Sequence, residues 1–166
     1  MSMPPIISIV GKSGSGKTTL LESLITELEQ RGHRVAVIKH AAHDFEVDIV
    51  NKDSWRFSQV GTEVVVISSP CRVAVIKRVE RDYSPEELSH FIGVDYDLIL
   101  TEGFRRSNTP KIEVHRQDQG EELLCPPQQL LAIVTDEPLS VAVSQFSKGE
   151  VQRLTDLIED WLLSQR

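Results

Sequence analysis

The sequence predicts an α/β fold in which a mainly parallel sheet is flanked by helices and accompanied by one antiparallel β-ribbon. Short apolar runs alternate with amphipathic stretches, and most of the runs are continuous, as in parallel strands that are buried on both faces. Two β-branched runs, at 64–67 and 73–76, flank the turn-forming residues 68–71 and predict the ribbon. A chain of 166 residues can bury a core of its own, so we expect a single domain spanning 1–166.

The individual elements follow from local patterns. Helices are expected where apolar residues recur every three or four positions or where a capping box opens a run, and strands where apolar residues are consecutive. The hairpin at 64–76 is expected to add antiparallel strands to the sheet. In chain order we expect a strand at 5–10, a helix ending at Gly32, a strand at 35–38, a polar loop at 39–50, a helix at 52–60, the hairpin, a helix from Ser84 to about Ile92, a strand at 97–101, an edge strand at 111–115, a loop at 117–129, strands at 130–134 and 141–143, and a last helix opened by a second capping box at 147–150.

The segment after the first strand fits the pattern G-x-x-x-x-G-K-[ST] and predicts a nucleoside triphosphate site. Glycines allow consecutive backbone N–H groups to turn inward around phosphates, and the helix that follows adds its positive N-terminal end. Lys17 is expected to contact the β- and γ-phosphates, and the Thr18 hydroxyl to ligate Mg²⁺. The matching residues are Gly11, Lys12, Ser13, Gly14, Ser15, Gly16, Lys17 and Thr18.

Ligands in such a sheet gather at the carboxyl ends of the strands. Glu102 follows a buried strand, where an acidic residue holds Mg²⁺ or polarises water, and Gly103 is expected to bring a backbone N–H to the γ-phosphate. Glu102 and Lys17 are therefore the expected catalytic residues. Asp48 or Asp44 is expected to approach Mg²⁺ directly or through water, since this ion favours carboxylate oxygens. Asp97 is the rival to Glu102, although it lies at the beginning of its strand.

Thr135 and Asp136 follow another buried strand and suggest how the base is recognised. A carboxylate here can accept hydrogen bonds from N1 and N2 of guanine, whereas N1 of adenine presents a lone pair. We therefore expect GTP in preference to ATP, although the common N-K-x-D signature is absent. The alternative is that Asp136 caps the following turn.

Composition excludes several classes of function. The chain has 18 Lys and Arg against 25 Asp and Glu, a net charge of −7, and no basic run, so nucleic-acid binding is not expected. Cys71 and Cys125 are too few and too far apart for a C-x-x-C metal cluster. Since neither a charged leader nor a stretch of about 18 apolar residues occurs, we expect a cytoplasmic protein that does not enter a membrane.

Five segments in this order resemble one family. The residues K-H, H-D and D before K-D-S, and the segment D-L-I-L-T-E-G-F, are more specific than the phosphate-binding loop. Together the segments resemble the molybdopterin-guanine dinucleotide biosynthesis protein B family, MobB, over almost the whole chain. They are GKSGSGKTTL at 11–20, VIKHAAHDFEVD at 37–48, KDSWRFSQVGTEVVVIS at 52–68, DLILTEGF at 97–104 and AIVTDEP at 132–138.

The resemblance implies a GTP-binding, weakly hydrolysing adapter in molybdenum cofactor biosynthesis. Such a protein assists the guanylyltransferase that joins GMP to molybdopterin, and it forms a homodimer through an extended sheet. Carried onto this sequence, the resemblance implies phosphate contacts from Gly14 to Thr19, Mg²⁺ on Thr18 with Asp48 or Glu102 nearby, and guanine near Asp136. Lys12 occupies a position from which some dimeric relatives contact the partner's nucleotide.

Two alternatives remain open at this point. A small-molecule kinase using ATP shares the same loop and helix, but such enzymes need an arginine-bearing lid to exclude water, and here only the short segment 105–110 offers one. A regulatory switch would order its loops around Mg²⁺ and the γ-phosphate so that a partner binds.

Molybdopterin itself is a further candidate ligand, and His40, His43, Arg105 and Arg106 are the residues expected to contact it.

Overall fold

The computed structural model describes residues 3–41, 43–45, 47–120 and 122–165. The chain divides into two compact units, one formed by 1–40 with 84–166 and the other by 41–83, and each is described by itself. The single domain spanning 1–166 stays a prediction. The elements are β1 (Ile6–Val10), α1 (Lys17–Gln30), β2 (Val35–Lys39), α2 (Asp53–Gln59), β3 (Val64–Ser69), β4 (Arg72–Lys77), α3 (Pro85–Ile92), β5 (Leu98–Glu102), β6 (Lys111–His115), β7 (Leu130–Thr135), β8 (Gln145–Phe146) and α4 (Val151–Ser164).

The larger unit is built on a six-stranded parallel sheet in the order β2-β5-β1-β6-β7-β8. This confirms the predicted class. The strand β1 lies between β5 and β6, and its Ile9 is level with Glu102 on one side and with Ile112 on the other. Because all strands run the same way, the segments that follow β1, β5, β6 and β7 leave the sheet at one edge.

One face of this sheet is apolar and holds α1 and α4. Alternate residues of the strands, such as Ile7, Leu100 and Val134, join the leucines of α1 and α4 in one buried cluster. The predicted helical periodicity is confirmed, since Leu20, Leu21, Leu24 and Leu28 are the buried residues of α1. No helix among the described residues is long and apolar enough to span a membrane.

The opposite face of the central strands carries polar side chains that are nevertheless buried, which corrects the position predicted for β6. The alternation of polar and apolar residues at 111–115 is typical of an edge strand, but β6 lies between β1 and β7 and all five of its residues are buried. Lys111 and Glu113 bond to neighbouring loops, whereas Nε2 of the buried His115 has no hydrogen-bond partner among the described residues. Lys111 donates to the carbonyl oxygens of Ser107 (2.6 Å) and Thr109 (2.9 Å), and Glu113 accepts from the N–H groups of Leu124 (2.7 Å) and Cys125 (3.0 Å).

The smaller unit contains α2 and the hairpin of β3 and β4. The hairpin was expected to extend the main sheet, but it forms a two-stranded antiparallel sheet of its own. The two strands of a hairpin can satisfy each other's hydrogen bonds without a third strand. The sequence pattern of a hairpin therefore does not reveal whether it joins a larger sheet. Four valines on one face of the hairpin are exposed: Val64, Val66, Val73 and Val75, between 42% and 67%. We call them the four-valine face.

Two predictions near the C-terminus are wrong. The last strand is β8 at Gln145–Phe146 rather than 141–143, because Phe146 is the residue that packs into the core. The second capping box does not open the helix, since α4 begins at Val151 with Glu150 as its N-terminal flanking residue. Glu150 instead closes a turn with Ser147. By contrast, the capping box of Ser84 and Glu87 before α3 is formed as predicted.

An ionic network ties the C-terminal end of α1 to α4. The Arg31 guanidinium contacts Glu27 at 2.8 Å, Asp156 at 2.6 Å and Glu159 at 2.7 Å, and His33 Nε2 lies 2.7 Å from Glu159 Oε1. The hydrogen bond with His33, followed by that from Arg31, lowers the pKa of Glu159 from its ordinary 4.5. A carboxyl group with a lowered folded-state pKa stabilises the fold above its unfolded-state pKa and loses that contribution as the pH falls.

We therefore expect Glu159→Gln to lower the free energy of unfolding by about 1–2 kcal/mol at pH 7. The difference from the unmodified protein should shrink as the pH falls below 4.5 and Glu159 itself is protonated. Urea denaturation at pH 7 and pH 4 measures both quantities. Asp160→Asn is the matched control, because Asp160 is the exposed neighbour on the same helix. Equal effects of the two changes at pH 7 would contradict the network.

Candidate functional site

The loop from Gly11 to Gly16 links β1 to α1 and requires its glycines. Gly14 and Gly16 have φ angles of 74° and 100°, which residues with a Cβ rarely adopt. Gly11 has a φ of 155°, and a Cβ there would lie 2.6 Å from both the Val114 carbonyl oxygen and Ser15 Oγ. The loop therefore passes too close to β6 for any other residue at position 11.

The loop and the beginning of α1 form a cradle with the character of an anion site. Lys17 Nζ donates to the carbonyl oxygens of Gly11 (2.9 Å) and Lys12 (2.8 Å), so its ammonium group lies back over the loop. The Ser15 hydroxyl is buried and has no hydrogen-bond partner among the described residues. The first turn of α1 carries no acidic residue, so its positive N-terminal end is not neutralised.

Thr18 and Glu102, which were predicted to lie close together, are in contact. The Thr18 hydroxyl donates to Glu102 Oε1 at 3.1 Å, and Lys39 Nζ lies 3.6 Å from Glu102 Oε2. Pairing of β5 with both β1 and β2 produces this contact, since Glu102 is the last residue of β5. An alcohol and a carboxylate oxygen so placed have the chemistry that Mg²⁺ prefers.

The chain turns sharply after Glu102. Gly103 has a φ of 102°, and its N–H donates to Ile9 O at 2.9 Å as the last bond of the ladder. A bond from this N–H to a phosphate would require that ladder bond to break. Phe104 also has a positive φ, 55°, and its ring contacts the His40 ring with centroids 4.8 Å apart. The turn leads into the segment 104–110, in which the carbonyl oxygens of Ser107 and Thr109 accept hydrogen bonds from the buried Lys111 of β6.

A pocket of about 450 Å³ lies at the carboxyl ends of β6 and β7. It is lined by Arg116, Gln117, Asp118, Asp136 and Glu137. The Thr135 hydroxyl caps the turn after β7, donating to Glu137 O at 2.8 Å. The alternative role considered for Asp136, capping that turn, therefore belongs to Thr135, and the half-exposed Asp136 carboxylate is left on the pocket wall.

Lys148 is a residue of this site that sequence reasoning missed. Its Nζ lies 3.4 Å from Asp136 Oδ2, and its Cε is 3.7 Å from the position of a Cβ on Gly16. The prediction placed Lys148 inside a capped helix, where a lysine faces solvent. The signal against that assignment was Gly149, which directly follows Lys148 and disfavours a helix interior.

The remaining candidates lie elsewhere or have structural partners. Asp97 is at the opposite edge, where its carboxylate accepts the Arg34 N–H at 2.7 Å, so it is no rival to Glu102. Asp48 belongs to the smaller unit, where Oδ1 accepts the Ile49 N–H and Oδ2 is buried without a partner among the described residues. Arg105 donates to Leu124 O at 3.0 Å and fixes the loop at that residue.

Comparison with known proteins indicates the family to which the chain is related. The model of the family described as "Molybdopterin guanine dinucleotide synthesis protein B", MobB, matches residues 6–136. The chain belongs to the MobB family. This confirms the resemblance drawn from the five sequence segments.

Individual relatives align over nearly the full chain. A protein of Haemophilus influenzae named "Molybdopterin-guanine dinucleotide biosynthesis adapter protein" is 39% identical over 162 residues, which are 95% of this chain and 89% of the relative. An Escherichia coli protein of the same name is 33% identical and covers 99% of this chain and 97% of its own length. A crystal structure of "molybdopterin-guanine biosynthesis protein B (mobB)" is 35% identical, with a TM-score of 0.75 over 94% of this chain and 99% of that one.

The loop geometry predicts a large effect of a single methyl group at position 11. We expect Gly11→Ala to destabilise the protein by about 2–5 kcal/mol, because the added Cβ combines backbone strain with a clash against the carbonyl of a central strand. Thermal unfolding measures the loss.

Gly61→Ala is the control, since Gly61 also has a positive φ, 94°, but its Cβ would meet nothing within 4 Å. Its expected loss is about 1–2 kcal/mol from backbone strain alone. A loss at position 11 no larger than that at position 61 would show that the contact with Val114 does not constrain the loop.

Proposed function

We propose that this chain is a GTP-binding adapter protein that acts in the cytoplasm in molybdopterin guanine dinucleotide biosynthesis, assists the guanylyltransferase of that pathway, and hydrolyses GTP weakly. The contact between Thr18 and Glu102 at the mouth of the glycine-rich loop carries the proposal. It joins the end of β5 to the first turn of α1, where the phosphates of a nucleotide and Mg²⁺ would be held. The adapter role is supported by the printed names of the relatives from Haemophilus influenzae and Escherichia coli.

Phosphate binding is assigned to the loop backbone and to Lys17. Lys17 Nζ lies over the loop on two carbonyl oxygens, and it would exchange these contacts for oxygens of a β- or γ-phosphate. Thr18 and Glu102 are the residues that would hold Mg²⁺, which supplies charge neutralisation between the phosphates. A role for Asp48 as a further ligand stays a prediction.

Slow hydrolysis fits the environment of Glu102. Its carboxylate is engaged by Thr18 on one oxygen and by Lys39 on the other, so it is arranged to hold charge rather than to remove a proton from water. The kinase alternative is disfavoured because Arg105 is bound to Leu124 O, which leaves the short segment 105–110 poorly suited to close as a lid. Glu102 and Lys17 stay the proposed catalytic residues.

Homodimer formation is part of the proposal and is supported by the four-valine face. Exposed valines on one face of a two-stranded sheet, with strand edges on both sides, favour pairing with a second copy of the same surface. Lys12 as a contact to the partner's nucleotide, and molybdopterin as a ligand of His40, His43, Arg105 and Arg106, stay predictions from the resemblance.

Equilibrium binding of non-hydrolysable GTP and ATP analogues, with and without Mg²⁺, tests the nucleotide assignment. We expect GTP to bind more tightly than ATP, and Lys17→Ala to weaken both by about tenfold or more through loss of a charged hydrogen bond. Thr18→Val should remove most of the Mg²⁺ dependence. Lys52→Ala, an exposed lysine of the smaller unit, is the control. Preference for ATP would favour the kinase, and binding that survives Lys17→Ala would place the nucleotide elsewhere.

Light scattering at micromolar concentration tests the dimer. We expect a mass near twice the 18.7 kDa of the chain, and a monomer for the double change of Val66→Lys with Val75→Lys, because like charges would face each other across a self-complementary surface. Val60→Lys is the control, since Val60 is 82% exposed and lies outside the hairpin. A dimer that persists in the double variant would exclude this face as the interface.

A further inference from the structure

The turn between β8 and α4 is closed by its own end residues. The Ser147 N–H donates to Glu150 Oε2 at 2.8 Å, and the Glu150 N–H donates to Ser147 O at 3.0 Å. Hydrogen bonds from Ser147, and then from Arg153, lower the pKa of Glu150, so the carboxylate that closes the turn is charged at neutral pH. Lys148 and Gly149 are the two central residues of this turn. The hydrogen bonds between Ser147 and Glu150 thus hold the backbone from which the Lys148 side chain extends.

The Lys148 side chain reaches across to two other elements. Its Cε is 3.7 Å from the position of a Cβ on Gly16, and its ammonium group is 3.4 Å from Asp136 Oδ2. Both charged groups are about half exposed, with side-chain exposures of 43% and 50%. An exposed pair of this kind contributes little to stability, so its position between the loop and the end of β7 calls for another explanation.

The surroundings of the pair have the form of a base pocket. Asp136 lies on the wall of the pocket of about 450 Å³. Arg116 lines the same pocket and is paired with Asp118 through contacts of 3.1 and 2.8 Å, so a planar guanidinium group lies beside the cavity. A nucleotide whose phosphates lie on the loop extends along the carboxyl edge of the parallel sheet, which brings its base to the ends of β7 and β8.

We propose that Lys148 and Asp136 together read the Watson–Crick edge of guanine, with Lys148 donating to O6 while Asp136 accepts from N1–H and N2–H. This rests on the proposed function, since it names the residue that completes base recognition in the same nucleotide site. Guanine presents one acceptor beside two donors, and an ammonium group beside a carboxylate is its complement. Adenine presents the reverse order, with its amino group toward Lys148 and the N1 lone pair toward Asp136, so both contacts become repulsive.

Competition binding with GTP, ITP, XTP and ATP tests the proposal, because these nucleotides differ only in the base. We expect Lys148→Met to weaken GTP and ITP by about tenfold each, since both carry O6 and lose one charged hydrogen bond. ATP binding should become stronger, because the repulsion between the ammonium group and the adenine amino group is removed. Lys148→Arg should retain most of the GTP affinity. Asp136→Asn should weaken GTP more than ITP, which lacks the N2 amino group, and should strengthen XTP, whose O2 can accept from the new amide.

Each outcome separates this inference from the proposed function. Equal loss of GTP and ATP in Lys148→Met would mean that Lys148 contacts the phosphates or the ribose and would overturn the inference, as would an unchanged ratio of GTP to ATP affinity. In both cases Lys17-dependent GTP binding would still support the proposed function. If the unmodified protein bound none of the four nucleotides, the proposed function would fail together with the inference. Lys52→Met is the charge-matched control.

Discussion

The parallel pairing of β1 with β5 on one side and β6 on the other is the constraint on which the site depends. Ile9 is level with both Glu102 and Ile112, and the Gly103 N–H completes the ladder on Ile9 O. This register sets the carboxylate of Glu102 beside the first turn of α1. It also places the carbonyl oxygen of Val114 so close to Gly11 that an added Cβ would lie 2.6 Å from it. The loop must therefore begin with glycine. The glycine-rich loop and its acidic neighbour Glu102 are thus consequences of one strand arrangement.

The two faces of the sheet pack against different elements. One face packs against α1 and α4 through the buried apolar cluster, whereas polar side chains on the other face form hydrogen bonds with loops. There, hydroxyl groups form a buried chain in which Thr101 donates to Ser8 at 2.8 Å, and Ser8 and Thr109 are 2.6 Å apart. Burial lowers the pKa of Lys111. The Lys111 ammonium group donates two hydrogen bonds, to the carbonyl oxygens of Ser107 and Thr109. A polar face of this kind fixes loop backbones that an apolar face would leave with unmet hydrogen bonds.

The sequence predicted most of the fold and the position of the glycine-rich loop, because those depend on local patterns. The glycine-rich loop, the periodicity of α1 and the capping box of α3 are each complete within a dozen residues. The errors concern long-range partners. The pattern of β6 does not reveal that its lysine and glutamate meet loop backbone, so it was placed at the edge. The strand β8 has two residues, which are too few for a periodic signal. Lys148 lies in the turn between β8 and α4, and its proximity to Asp136 is therefore not predicted from the sequence.

The charged groups of the larger unit hold one another in the present structure, and this bears on why an adapter fits better than a fast enzyme. Lys17 is bound to loop carbonyls, Glu102 to Thr18 and Lys39, and Lys148 to Asp136. A nucleotide would exchange each of these internal contacts for one of its own, so part of its interaction energy goes into rearrangement, which lowers affinity. The same exchange would release Lys39 at the end of β2, Glu102 at the end of β5 and Asp136 after β7 from their present contacts. A partner protein that binds at these strand ends would therefore respond to the bound nucleotide. Coupling of this kind needs differential contacts in two states, and the contacts of Lys17, Glu102 and Lys148 are the ones that a bound nucleotide would change.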